Sequence, residues 1–150
     1  MPQHEIFARD LTSGQPTRLI WREDKILAIE AAADAPNDTW IAASLIDLQI
    51  NGFAGVDFQQ DNLSLKELLH AVEKLRATGC TRFLLTLITD RWPAMLARLQ
   101  HLRTLRSQHD QLRRAIVGWH IEGPFLSAEP GFCGAHDPAL MLDPKPEYMG

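Results

Sequence analysis

Cysteine is scarce in this chain. Two residues, Cys80 and Cys133, in 150 cannot build a disulfide framework, and reduced thiols are the expected state. Long apolar runs are also missing, and none reaches the roughly 18 residues that a membrane span requires. There is no excess of positive charge: the formal net charge is −4, which provides no electrostatic footprint for nucleic acid or an anionic membrane. Arg103, Arg106, Arg113 and Arg114 are not interleaved with aromatic residues and read as a basic helix end. The stretch Met1 to Arg9 has no basic start followed by an apolar core, so no secretory signal is visible. No repeat or low-complexity tract stands out. The expectation is a soluble cytoplasmic protein with a packed core, no nucleic-acid partner and no membrane partner.

The residues that are present change character near position 44. Before it, Arg18 to Arg22 and Lys25 to Ile29 are apolar runs separated by Glu23-Asp24, which predicts a hairpin. Ala31 to Asp38 reads as a loop. After it, Ser44 to Ile50 is an apolar strand candidate ending at Asn51-Gly52. Ser64 with Glu67 forms a capping box ahead of Leu65, Leu68, Leu69, Val72 and Leu75, and Gly79 ends that helix. Arg82 to Ile88 is a second strand. Asp90 is expected to cap a helix with Pro93 in its first turn and an apolar face of Met95, Leu96, Leu99, Leu102 and Leu105. Ala115 to Ile121 is a third strand. The order β-α-β-α-β implies a parallel sheet, whose chemistry sits at the carboxyl ends of its strands.

Three of those ends carry unusual residues. Gln49 and Asn51 share one strand face, Thr86 and Thr89 close the second strand, and His120 and Glu122 share a face before Gly123-Pro124. A carboxylate and an imidazole at one mouth suit a divalent metal. Taken singly, each also has a plain structural reading: Gln49 and Asn51 as turn and edge residues, His120-x-Glu122 as a hydrogen-bonded pair. Asp47 reads as a structural hydrogen-bonding group. Cys80 reads as small core, and Cys133 lies in a loop without an identifiable base beside it. His4, His70, His101 and His109 are most simply solvated.

Taken together and in order, the motifs are more specific. The run Leu45 to Phe58 resembles the first barrel strand of the amidohydrolase superfamily, and within it the N-acetylglucosamine-6-phosphate deacetylases. One branch of these has Gln-x-Asn where most members have His-x-His, as Gln49 and Asn51 do here. Thr78-Gly-Cys-Thr81 with Thr86-Leu-Ile-Thr89 resembles the second strand, Gly118 to Leu126 the metal-binding strand, and Gly134-Ala-His-Asp-Pro138 the loop after it. The resemblance implies Glu122 as a metal ligand and Ala135 and His136 as contacts to an amino-sugar substrate. It places Gln49, Asn51, Thr86, Thr89 and His120 around the site without direct ligation. Amides are poor zinc ligands beside imidazole, so one divalent metal ion, zinc by expectation, is implied. Glu129 to Cys133 makes the intervening loop slightly longer than the family spacing.

The implied architecture is α/β: residues 1–44 as strands of a small β-domain and residues 45–150 as the first three β/α units of a TIM-like barrel. A complete barrel takes about 250 residues, so the chain reads as the amino-terminal portion of such an enzyme. Its remaining metal ligands and a catalytic aspartate are expected on later strands, and the chain alone is expected to be inactive. The implied partner is a small amino-sugar phosphate, and a homodimer of the full-length protein stays open. Two alternatives remain at this point: an amidohydrolase of another N-acyl sugar or cyclic amide, and an inactive fragment or interaction module.

Overall fold

The computed structural model describes residues 2–149. Its contacts divide between Ala43 and Ser44 into two compact units.

The first unit is a four-stranded sheet of β1 (His4–Asp10), β2 (Pro16–Arg22), β3 (Lys25–Ala31) and β4 (Trp40–Ile41), in the order β3-β2-β1-β4. The expected hairpin is β2–β3, turning at Glu23 with φ 54°. Strand β1 has no alternating pattern to announce it. It forms because its backbone pairs antiparallel with β2 from His4↔Trp21 to Arg9↔Pro16. His4 is exposed, as expected, and stacks on Trp21. Asp10 closes the following turn by accepting from the Ser13 amide at 2.8 Å and the Thr12 amide at 3.1 Å. The Ser13 amide, followed by its hydroxyl, holds the Asp10 carboxyl below its ordinary range against the small opposing effect of burial.

The second unit contains β5 (Leu45–Ile50), a hairpin of β6 (Gly52–Phe53) and β7 (Val56–Asp57), α1 (Leu65–Arg76), β8 (Cys80–Ile88), α2 (Trp92–Gln108), α3 (Asp110–Ala115) and β9 (Ile116–Glu122). A 3₁₀ turn at Pro138–Leu140 and the short α4 (Pro146–Met149) follow. Strands β5, β8 and β9 make a parallel sheet in the order β5-β8-β9. The central strand β8 carries the core: Phe83, Leu85 and Leu87 are buried against Leu68, Val72 and Leu75 of α1, and Phe83 stacks on Phe58. The edge strands leave Leu48, Val117 and Ile121 exposed.

The capping box on α1 is complete, with the Ser64 hydroxyl accepting from the Glu67 amide and the Glu67 carboxylate accepting from the Ser64 amide. Ser64→Ala should therefore destabilise the protein by about 1 kcal/mol. Amide exchange should accelerate in the first turn of α1 ahead of the rest, and unchanged exchange there would contradict the cap.

The second helix departs from expectation in several ways. Asp90 does not cap it: Arg91 is the N-cap and provides no side-chain bond, while Asp90 accepts from the Arg91 amide and from Arg98. Leu96 is exposed, and the buried residues of α2 are Met95, Arg98 and Leu102. Arg98, which the apolar pattern left out of the core, is buried, with its Nη2 donating to Asp61 at 2.8 Å and Asp90 at 3.1 Å. Burial would raise the Asp90 carboxyl, but the Arg91 amide and the Arg98 guanidinium outweigh it and hold it below the carboxylate range. His101 is also not free in solvent, since its Nε2 lies 2.8 Å from the Leu63 carbonyl. The chain breaks at His109, where the backbone is extended, and α3 then buries Leu112 and Ala115, so the third strand begins at Ile116.

Candidate functional site

Residues at the carboxyl ends of β5 and β9 meet in front of β8. Gln49 Nε2 donates to Glu122 Oε2 at 3.0 Å, and His136 Nε2 lies 3.2 Å from Glu122 Oε1. An ionised carboxylate only accepts, so Nε2 of His136 carries the proton in this arrangement, and among the described residues its buried Nδ1 has no partner. Gln49, Asn51, Glu122, Ala135 and His136 line one cavity of about 380 Å³.

The loop that carries Ala135 and His136 is held from several sides. The Leu142 amide donates to the Pro124 carbonyl at 3.0 Å, and Asp137 caps the 3₁₀ turn through the Ala139 amide at 2.9 Å. Phe125 packs in an aromatic group with Trp92 of α2 and Tyr148 of α4, with ring centroids 5.3–6.1 Å apart. The segment after β9 thus folds back over its own strand end, and that return brings His136 to Glu122.

Thr86, Thr89 and His120 do not line the cavity. Thr86 is fully buried beneath it: its hydroxyl accepts from the Ile50 amide at 2.9 Å and donates to the Leu84 carbonyl at 3.2 Å. Thr89 lies behind Glu122 and donates to its carbonyl at 3.2 Å. His120 pairs in register with Thr86, two residues before Glu122. Both Thr86 and His120 sit roughly 6–7 Å back from the strand ends, one side-chain repeat below the rim. Asp47 accepts from the Gln49 amide at 3.0 Å, as a structural group would.

Three lining residues lack a distinctive signal in the sequence: Asp57, Gln59 and Ile88. Asp57 lies within the run Leu45 to Phe58, but its position on the cavity depends on the β6–β7 hairpin, which turns at Ala54 with φ 53° and Gly55 with φ 83°.

The donor set can be tested against a divalent metal. Glu122 and His136 have suitable chemistry, with the Gln49 amide beside them. Among the described residues, however, no three His, Cys, Asp or Glu side chains converge on one point. Catalytic zinc takes three protein ligands, and among the described residues no such set forms around Glu122. Among the described residues, no helix is long and apolar enough to cross a membrane.

A parallel β/α sheet with its polar side chains gathered at the strand ends is the arrangement of an α/β enzyme. No protein-family model matches the chain. It is 36% identical over 107 residues to the N-acetylglucosamine-6-phosphate deacetylase of Haemophilus influenzae, covering 71% of this chain and 26% of that protein. Among solved structures it is similar to the N-acetylglucosamine-6-phosphate deacetylase of Pasteurella multocida, with TM-score 0.77 and 29% identity over 99% of this chain and 41% of that one. It is also similar to a Mycobacterium smegmatis N-acetyl-D-glucosamine-6-phosphate deacetylase mutant in complex with N-acetyl-D-glucosamine-6-phosphate, with TM-score 0.76 and 28% identity over 100% and 40% of the two chains. The resemblance read from the motifs is therefore borne out. The chain is similar to the amino-terminal part of N-acetylglucosamine-6-phosphate deacetylases and spans about a quarter of the curated relative's length.

Proposed function

We propose that the whole protein hydrolyses the acetamide of N-acetylglucosamine 6-phosphate, with water adding and glucosamine 6-phosphate and acetate leaving. The observation that carries this is the meeting of Gln49, Glu122 and His136 over one cavity, in a chain similar to a deacetylase solved with that sugar phosphate. Glu122 would hold one position of a divalent metal, zinc in this reading. When bound, that ion supplies polarisation of the amide carbonyl and acidification of water. Gln49 fixes the Glu122 carboxylate from one side. Ala135 and His136 contact the acetamide end of the sugar, His136 through a ring already turned into the cavity. Thr86 and Thr89 hold the strand ends beneath it. The proton passed from water to the leaving amine needs a further group, an aspartate on a later strand.

The same reading takes residues 1–44 as part of a small β-domain and residues 45–150 as the opening of a TIM-like barrel. The exposed Leu48, Val117 and Ile121 on the sheet's edge strands support it, because the further β/α units of a barrel would pack over the sheet faces that carry them. The protein would act in the cytoplasm on a free sugar phosphate.

The test is acetate release by the full-length protein loaded with zinc, on phosphorylated and unphosphorylated N-acetylglucosamine. Turnover preferring the phosphorylated sugar is expected, and none from residues 1–150 alone, which hold too few metal donors. No release from the phosphorylated sugar, or preference for the unphosphorylated one, would overturn the assignment.

A further inference from the structure

Strand β5 leaves the sheet before it reaches the cavity. Its register with β8 shifts between Leu45↔Cys80 and Ile46↔Arg82, and shifts again between Asp47↔Phe83 and Ile50↔Leu85. At that end the Ile50 amide reaches the Thr86 side chain at 2.9 Å instead of a β8 carbonyl. The side of β8 that faced β5 would then lack backbone partners at Thr86 O and Ile88 N. Gln59 supplies both: its Nε2 donates to the Thr86 carbonyl at 2.9 Å, and its Oε1 accepts from the Ile88 amide at 3.1 Å. In a parallel ladder one residue donates to the carbonyl of residue j−1 and accepts from the amide of j+1 on its neighbour. The Gln59 carboxamide reproduces that pair with a side chain.

Two consequences bear on the site. The main chain of β5 is free to diverge, which lets Gln49 reach Glu122. The end of β8 is nevertheless fixed, and Ile88 is the register partner of Glu122 on β9. Gln59 is itself fixed by its amide, which donates to Asp57 at 2.8 Å, and it lines the same cavity.

We infer that Gln59 is a positioning residue of this site: it replaces the departed strand β5 along the end of β8 and so sets the Gln49–Glu122 pair. The inference rests on the deacetylase reading for its kinetic consequence but not for its structural one.

Two variants of the full-length protein test it. Gln59→Leu keeps bulk and removes both hydrogen bonds. Exchange of the Ile88 amide should accelerate, zinc affinity by calorimetry should fall, and kcat should fall by about 10–100-fold, the range for groups that orient ligands, with KM changing less. Gln59→Glu is the more discriminating variant. An ionised carboxylate still accepts from Ile88 but repels the Thr86 carbonyl, whereas the protonated acid donates and accepts as glutamine does. The charged and titratable groups that line the cavity with it are Asp57, Glu122 and His136; in the zinc-loaded protein the ion would offset the Glu122 charge, and Asp57 together with the Thr86 carbonyl would raise the introduced acid's pKa. Activity of Gln59→Glu relative to wild type should therefore rise several-fold from pH 8 to pH 5.5, and that of Gln59→Leu should not.

A flat ratio for Gln59→Glu, or a Gln59→Leu variant with wild-type Ile88 exchange and zinc affinity, would overturn the inference. If Gln59→Leu does not fold, the pH ratio of Gln59→Glu decides. If wild type releases no acetate, the deacetylase reading fails, and Ile88 exchange with zinc affinity alone decides the role of Gln59.

Discussion

Glu122→Gln in the full-length protein is expected to remove turnover almost entirely while leaving the fold intact. The substitution keeps shape and volume but replaces one carboxylate oxygen by an amide nitrogen. Both oxygens of Glu122 are engaged, Oε2 by Gln49 Nε2 at 3.0 Å and Oε1 by His136 Nε2 at 3.2 Å. Whichever way the new amide turns, one partner's N–H then faces another N–H, so Gln49 must flip its carboxamide or His136 must change tautomer to keep the contact. The anionic donor is lost at the same time, and a neutral amide is a poor ligand for zinc. Loss of a group that only orients a ligand costs about 10–100-fold, so removal of the ligand itself should cost more than about 100-fold in both zinc affinity and kcat. The effect on stability should be small, because Glu122 sits at a strand end, outside the buried cluster formed by Phe83, Leu85 and Leu87. Zinc content, zinc calorimetry and thermal melting read the three quantities separately. Full zinc content with normal acetate release would refute the role given to Glu122; a collapsed melting temperature would show it to be structural.

How much of this was legible depends on the range of the interactions involved. The hairpin at Glu23, the capping box at Ser64 and the buried strand β8 follow from neighbours a few residues apart, and sequence spacing reads such features well. Asp90 looked like a cap because its spacing to the helix is right. Arg98, eight residues on, and the adjacent Arg91 amide take its carboxylate instead. Leu96 looked like core because leucine at that spacing usually is. The ion pair of the buried Arg98 runs to Asp61, which is 37 residues away, and no local pattern reports it. Strand β1 was missed as a distinct element because backbone pairing with β2, not its own side-chain alternation, makes it a strand.

The site divides in the same way. Strand alternation placed Gln49 with Asn51 and His120 with Glu122, and the meeting of Gln49 and Glu122 across 73 positions follows once the sheet order β5-β8-β9 is known. Alternation fixes the face of a strand but not the depth, so His120, one repeat below Glu122, is outside the cavity. The motif resemblance supplied His136, and the folded-back loop gives it a physical basis. Gln59 had no motif at all: its role exists only because β5 diverges, and that divergence is a property of the backbone.

Gly123→Ala should be nearly as damaging as the loss of Glu122, through the backbone and not through a ligand. Gly123 directly follows Glu122 and has φ +90°, a conformation that a side chain disfavours by about 1–2 kcal/mol. An added Cβ would also stand 1.9 Å from the Thr89 hydroxyl oxygen and 3.2 Å from the Thr89 Cβ. Thr89 is buried and has little room to yield, and its hydroxyl is the group that donates to the Glu122 carbonyl at 3.2 Å. Either Thr89 rotates away and releases Glu122, or the chain shifts at Gly123 and carries Glu122 with it. Overpacking of this kind costs about 1–3 kcal/mol on top of the backbone strain, so a total loss of roughly 2–5 kcal/mol is expected, with zinc affinity and turnover falling together. Adding Thr89→Ala removes the clashing oxygen but not the strain at φ +90°. The double variant should therefore melt above Gly123→Ala alone and below Thr89→Ala alone, with activity still low because the hydrogen bond to the Glu122 carbonyl is gone. A Gly123→Ala protein with wild-type melting temperature and turnover would show that the tight approach of Thr89 to the Glu122–Gly123 backbone is not what holds Glu122 at the cavity.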